Sequence, residues 1–275
     1  MSHWWQSPEA RSWCVKLRVP TLVLDYNIPL AIAGCAFFWF VQLASHYASR
    51  RLFPKHFQSF SRKTRLDWDL HCTGWMHALI SAPLALYMIL HPSPSLVKDP
   101  IFNYATFEAS VFAFSGGYFV YDLMISLALV KSQGFAFVVH AAACCFIFFK
   151  AFTPFLMGIG SMFLIWEAST VFLHPHWFLD KLNMTGSIIQ LVNGVFLLLS
   201  FLGARLCYGG YMTYKLWNLL DDDRISPSMR WGFRLANLAL NGELMIISVQ
   251  GRLKTRQKGE AGNGTAGTKD DKKQQ

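Results

Sequence analysis

Charged residues are scarce, at 15% of the chain against roughly 25% in an ordinary soluble domain. None of the six cysteines (Cys14, Cys35, Cys72, Cys144, Cys145 and Cys207) stands in a C-x-x-C pair. Most of them fall inside apolar runs, so they read as small packing groups, not as a disulfide framework or a zinc site. The nine histidines never recur at H-x-x-H or H-x-x-x-H spacing. That argues against a metal centre and against desaturase chemistry, which needs closely spaced histidine boxes. The N-terminal segment has no uninterrupted apolar core before a small-residue cleavage site. It does not read as a removable signal peptide, and the first membrane span takes that role.

What the sequence has in quantity is apolar surface: 53% hydrophobic residues, with 24 Phe and 10 Trp. The apolar runs approach the ~20 residues needed to cross a bilayer as a helix. They predict an all-α, polytopic membrane protein with about seven transmembrane helices. The predicted spans are 29–47, 72–90, 107–130, a short one at 135–149, 152–173, 187–207 and the least apolar, 231–249. Trp68, Trp177, Trp217 and Trp231 fall near predicted interfaces and read as aromatic anchors. Gly116 and Gly117 are expected to allow close helix packing.

Basic residues set the orientation. Arg50, Arg51, Lys55, Arg62, Lys63 and Arg65 crowd the loop after the first span, and Arg252, Lys254, Arg256 and Lys258 follow the seventh. Both segments are expected in the cytosol, which an even number of intervening spans allows. The acidic run Asp221–Asp223 then falls on the lumenal side. The net charge of +9 sits mostly in the cytosolic loop and tail, facing anionic lipid headgroups, and no nucleic-acid partner is expected. The tail 251–275 is too polar to bury a core and is expected to be disordered. It ends Lys272-Lys273-Gln274-Gln275, a dilysine pattern read by a cytosolic retrieval coat on endoplasmic-reticulum membrane proteins. Asn183 and Asn263 stand in glycosylation sequons, but on the side where no modification is expected.

Ionisable groups are costly in hydrocarbon and need a reason to be there. The spans hold His77, Glu108, Asp122, His140, Glu167, Asn193, Arg205 and Glu243. Glu108 and Arg205 lie near predicted lumenal ends, where they are expected to snorkel. The other six lie at one common depth, roughly 8–12 Å below the cytosolic surface. If they face inward, they form one polar layer with apolar walls above it. The ordinary alternative is a hydrogen-bonded network that only fixes helix packing. Imidazoles beside carboxylates also suit proton transfer or nucleophilic attack. His174-Pro175-His176 is expected to lie in a cytosolic loop without a site role.

At these residues the chain resembles the TLC-domain family, which includes the ceramide synthases, the ceroid-lipofuscinosis TLC protein and several small TLC-domain proteins. The resemblance runs from about residue 60 to 250. It is carried by WDLHCTGWMHA from Trp68, GYFVYDL with Gly117 and Asp122, FVVHA with His140, EASTVFLHPHWF from Glu167, and Asn193-Gly194 with Arg205 beyond. It departs from the ceramide synthases at Ala141, where they carry a second histidine, and at Ile125, where a second acid is expected. The resemblance therefore implies a six-helix TLC barrel around a lipid-sized cavity, preceded by one N-terminal helix, and the small non-synthase branch.

The expected organisation is a lumenal segment 1–28, a first helix with its basic cytosolic loop 29–59, a TLC domain 60–250 and the tail 251–275. The expected function is a multi-pass endoplasmic-reticulum protein, its C-terminus cytosolic, that binds or handles a membrane lipid and contributes to lipid homeostasis. Glu167, Asn193 and Glu243 are then lipid-binding candidates. The alternative is an N-acyltransferase with acyl-CoA as co-substrate and no other cofactor. In it His140 serves as nucleophile or general base, Asp122 orients it and His77 assists. A third reading is a cargo receptor of the early secretory pathway. The partners expected are membrane lipids and, through Lys272 and Lys273, the retrieval coat.

Overall fold

The computed structural model describes residues 23–242, apart from the side chain at position 24. Glu243, the end of the seventh predicted span, and the tail with Lys272 and Lys273 lie outside those residues. The described residues form helices and no strand, and the chain is an all-α polytopic membrane protein.

A π-helical turn, Val23–Asn27, leads into α1 (Ile28–Leu52). Pro54 opens the short α2 (Pro54–Ser59), and α3 (Arg62–Leu90) starts at Ser61, whose hydroxyl accepts the Thr64 N–H at 3.1 Å and so satisfies one of the free donors of the first turn. After the short α4 (Pro94–Lys98) come α5 (Thr106–Ala128), the single turn α6 (Val130–Gln133) and α7 (Phe135–Lys150). Gly134, at φ +103°, makes the α6–α7 corner. The fifth predicted span is two tandem helices, α8 (Met157–Leu164) and α9 (Glu167–Lys181). The sixth is one long rod, α10 (Ile188–Ser200), a π-helical stretch (Phe201–Tyr208) and α11 (Gly209–Leu219). Ser187 caps α10 by accepting the Gln190 N–H at 3.2 Å through its hydroxyl, while the side-chain Oε1 of Gln190 accepts the Gly186 N–H at 2.7 Å, an arrangement akin to a capping box. Residues 227–242 form the last described helix, α12.

Among the described residues, four helical stretches are long and apolar enough to cross a membrane: Asp25–Leu52, Arg62–Leu90, Thr106–Ala128 and Ile188–Leu219. Half of the apolar window of α5 is buried inside the protein, against 6% for the α10–α11 rod. The centre of the bundle is therefore α5 with α3, and the rod turns its leucines outward, as lipid-facing helices do.

The loops alternate between two ends. At the basic-loop end Trp68 packs on Phe178 (ring centroids 4.7 Å apart) and donates its indole N–H to Ser49 at 2.8 Å. At the opposite end the N–H groups of Leu156 and Gly158 donate to Ile101 at 2.6 Å and to Pro100 at 3.0 Å. Phe233 of α12 meets Phe146 and Phe155 at 5.1 and 5.0 Å.

The acidic run joins this opposite end as a clamp. Arg224 bonds Asp99 at 2.7 Å and Asp222 at 2.8 Å, with its guanidinium 4.7 Å from the Phe102 ring centre. The hydrogen bonds from Arg224 hold the Asp99 carboxyl below its usual range and bring Asp222 down to about 2. Carboxyls depressed by folding stabilise the folded chain above their ordinary pKa of about 4, and the contribution is lost as pH falls through the folded value. Arg224→Ala should therefore melt lower than the parent at neutral pH. The gap should close between about pH 4 and the folded Asp222 value of about 2. A gap that persists at the acid end of a thermal-melt series would contradict this.

Candidate functional site

Where α3, α5, α7 and α9 meet at the basic-loop end, they enclose a cavity of about 270 Å³. Its polar wall is His71 from α3, Tyr118, Tyr121, Asp122 and Ser126 from α5, and His174 from α9. Leu70, Ile125 and Phe137 add apolar lining. The volume is near the lower end of small-molecule sites, roughly 300–1,000 Å³.

Two imidazoles clasp α3 to α9 across the mouth. Nδ1 of His71 and Nδ1 of His174 are 2.7 Å apart, so one ring donates its N–H and the other accepts through its lone pair. His71 also stacks on Trp177, centroids 4.0 Å apart and planes 13° off parallel. The clasp needs Gly74: a Cβ there would lie 2.7 Å from Nε2 of His174 and 3.4 Å from the Tyr118 hydroxyl. His174 was expected in a loop. It lies instead within α9, because Pro175 stays inside that helix, where neighbouring helices can offset the lost backbone bond.

Tyr118 connects the cavity to the deeper interior. Its ring stacks on His77, centroids 3.9 Å apart and 8° from parallel. His77 is fully buried, with Phe38 and Phe119 against its edges, and among the described residues neither ring nitrogen makes a hydrogen bond. The Glu167 carboxylate lies within electrostatic reach of His77, and both Asp122 and Glu167 act on the Tyr118 hydroxyl. Two of the six predicted polar residues, His77 and Asp122, thus lie beside Tyr118. His140 approaches from α7, with Nε2 3.7 Å from the Cys144 sulfur. Asn193 stands apart on the α9–α10 seam, donating to the Phe172 carbonyl at 2.9 Å. Glu243 lies outside the described residues.

Arg205 does not snorkel to a membrane surface. The rod continues to Leu219, so this residue sits at mid-rod, in the π-helical stretch, and turns inward. Its Nε donates to the Ser169 hydroxyl at 2.7 Å and to the Trp166 carbonyl at 3.3 Å, and Nη2 donates to Thr170 at 3.1 Å. Those acceptors flank the break between α8 and α9. A side chain inserted into the helical ladder is a recognised cause of such a break. The break makes Glu167 the first residue of α9, where the positive end of the helix dipole favours its carboxylate.

The TLC-domain family profile matches residues 67–249 of the chain. The chain belongs to the TLC-domain family. An uncharacterised TLC domain-containing protein of Schizosaccharomyces pombe is 32% identical over 82% of this chain and 76% of its own. The topoisomerase I damage affected protein 4 of Saccharomyces cerevisiae is 27% identical over 67% and 70%, respectively. The human TLC domain-containing protein 4 is 24% identical over 66% and 71%. No solved structure matches.

Within this TLC domain, sequence reasoning passed over His71, His174 and Tyr118. His71 lies just before the predicted second span and His174 beside a proline, both in stretches too polar to read as membrane. Tyr118 stands between Gly117 and Asp122 in the aromatic motif, where only the acid looked chemical. The signal for His174 was available in the helical continuation of Glu167-Ala168-Ser169-Thr170, which runs through Pro175 without a break.

Proposed function

We propose that this TLC-domain protein holds the polar end of a membrane lipid in the cavity between α3, α5, α7 and α9, and so takes part in lipid handling in its membrane. The observation that carries the reading is the mixed lining of the cavity: Asp122, Tyr118 and the His71–His174 clasp together with the apolar Ile125 and Phe137. The apolar residues suit the start of an acyl chain, while the headgroup meets the hydrogen-bonding groups. Glu167 and His77 extend the polar side inward, and Asn193 and Glu243 remain candidates for the walls beyond.

The protein is proposed to reside in the endoplasmic-reticulum membrane with its tail in the cytosol, where Lys272 and Lys273 meet the retrieval coat. The alternation of loops between two ends supports placing the tail on the side of the basic loop.

Native mass spectrometry of the full chain, released from lipid nanodiscs, tests the binding reading. The parent should retain a lipid through detergent exchange. A charged hydrogen-bonding partner is worth about 1.5–3 kcal/mol, so Asp122→Asn should reduce retention by about tenfold or more. Equal retention in parent and variant would refute it.

One observation favours a second reading, acyl transfer from acyl-CoA. His140 lies one turn along α7 from Phe137, a cavity residue. It would serve as nucleophile or general base, with Asp122 orienting it and His77 assisting. Labelled acyl-CoA transfer to a long-chain base, abolished by His140→Ala, would establish this reading, and transfer undiminished in that variant would exclude it.

A further inference from the structure

A second cavity, of about 250 Å³, lies at the opposite end of the bundle. It is framed by the end of α3, the 91–105 loop, the first turns of α5 and α8, and α11. Two charged side chains line it. Glu108, expected to snorkel, is instead 2% exposed. Its carboxylate accepts the Ser93 backbone N–H at 3.2 Å and the Ser93 hydroxyl at 2.8 Å. Lys215 of α11 lines the same cavity, and among the described residues its ammonium has no hydrogen bond or ion pair. The two opposite charges therefore share one chamber without pairing. The rest of the lining is mostly apolar, with Met88, Ile89, Leu96, Ile159 and Met162.

Ion pairing is the ordinary fate of opposite charges next to apolar surface, because each unpaired charge keeps its desolvation cost. Here both line one cavity and no ion pair joins them among the described residues. Gly158 sits so close to Pro100 that a Cβ would come within 2.7 Å of it, which pins the 91–105 loop to α8 and keeps the cavity walls in place. A chamber with an anion, a cation and a mostly apolar lining complements a zwitterion bearing an apolar chain. We infer that the Glu108–Lys215 cavity binds the zwitterionic headgroup of a phospholipid, phosphate toward Lys215 and ammonium toward Glu108. This site lies at the end of the bundle opposite the His71–His174 cavity and is independent of the reading proposed for it.

The test uses the purified full chain in detergent micelles, with short-chain phosphatidylcholine as probe and thermal shift and native mass spectrometry as readouts. The parent should bind it, and Lys215→Met and Glu108→Gln should each weaken binding by about tenfold, the loss of one charged contact. Glu108→Gln retains a carbonyl for Ser93. If it nevertheless fails to fold, Val97→Trp substitutes for it. Val97 lines the cavity from the exposed face of α4, and the indole should block binding while leaving the melt of the ligand-free protein unchanged. Phosphatidylglycerol bound as tightly as phosphatidylcholine and unaffected by Glu108→Gln would overturn the proposal in favour of a simple anion site. Soluble phosphocholine bound as tightly as the lipid would overturn the assignment to a membrane lipid. Binding unchanged in Lys215→Met and Val97→Trp would overturn it altogether.

Discussion

Gly117→Leu should cost the fold more than about 3 kcal/mol, the upper range for forcing a side chain into a filled core. Gly117 is where α5 crosses α1. A Cβ at this position would overlap the Ala31 carbonyl oxygen and lie 2.7 Å from the Cys35 amide nitrogen. On the other side of the crossing, a Cβ at Gly34 would meet the Phe114 carbonyl oxygen at 2.9 Å. Every obstructing atom is backbone, so no rotamer change relieves the clash and the helices must part. Small residues at such crossings are how membrane helices gain dispersion contacts without a hydrophobic drive between them. Even Gly117→Ala should lower the melting temperature of the detergent-solubilised protein by several degrees. Gly210→Ala, with no atom within 4 Å of its added methyl, should stay within about 0.5 kcal/mol of the parent. Equal melting of the alanine variants at 117 and 210 would show that the α1–α5 crossing is looser than described.

Arg205→Leu should have an effect of similar size. It removes the donor that joins the Trp166 carbonyl, the Ser169 hydroxyl and Thr170 across the α8–α9 break. Hydrogen bonds from a charged donor are worth about 1.5–3 kcal/mol each and are not additive within a cluster. A total near 3 kcal/mol corresponds to a drop of about 6–12 °C for a chain of this size. Arg205→Lys should recover less than half of that, because one ammonium on a flexible stem cannot reproduce the planar fork that reaches all three acceptors. The same substitutions should disturb lipid retention, since the break sets the first turn of α9 and with it Glu167. A leucine variant that melts with the parent would mean that the break is held by other contacts.

The spans were legible where apolar length alone decides the matter, as in α1, α3 and α5. Their ends were not. α3 begins at Arg62, and the sixth rod runs on to Leu219, because helices continue past the hydrocarbon wherever caps and neighbours support them. That continuation displaced Arg205 from the expected membrane surface to mid-rod. Asp122, His77 and Glu167 could be picked out because an ionisable group in an apolar run is conspicuous, and the first two lie beside Tyr118. The His71–His174 clasp could not be found the same way. It is a pairing of residues 103 positions apart, each in a locally polar stretch, and only the packing of α3 on α9 brings them together. Glu108 shows the converse: a carboxylate at a helix start looks exposed in sequence, and the Ser93 turn that buries it is a matter of tertiary placement.

Photolabelling tests the central claim most directly. A phosphatidylethanolamine and a sphingosine, each carrying a diazirine near the headgroup, would be crosslinked to the full chain in nanodiscs and the adducts mapped by peptide mass spectrometry. Occupancy of the cavity predicts adducts from at least one probe on Tyr118, Ile125, Phe137 or His174, diminished in Asp122→Asn. Adducts confined to outward-facing side chains such as Phe40, Leu43, Leu198 and Leu202, with none in the cavity, would contradict it.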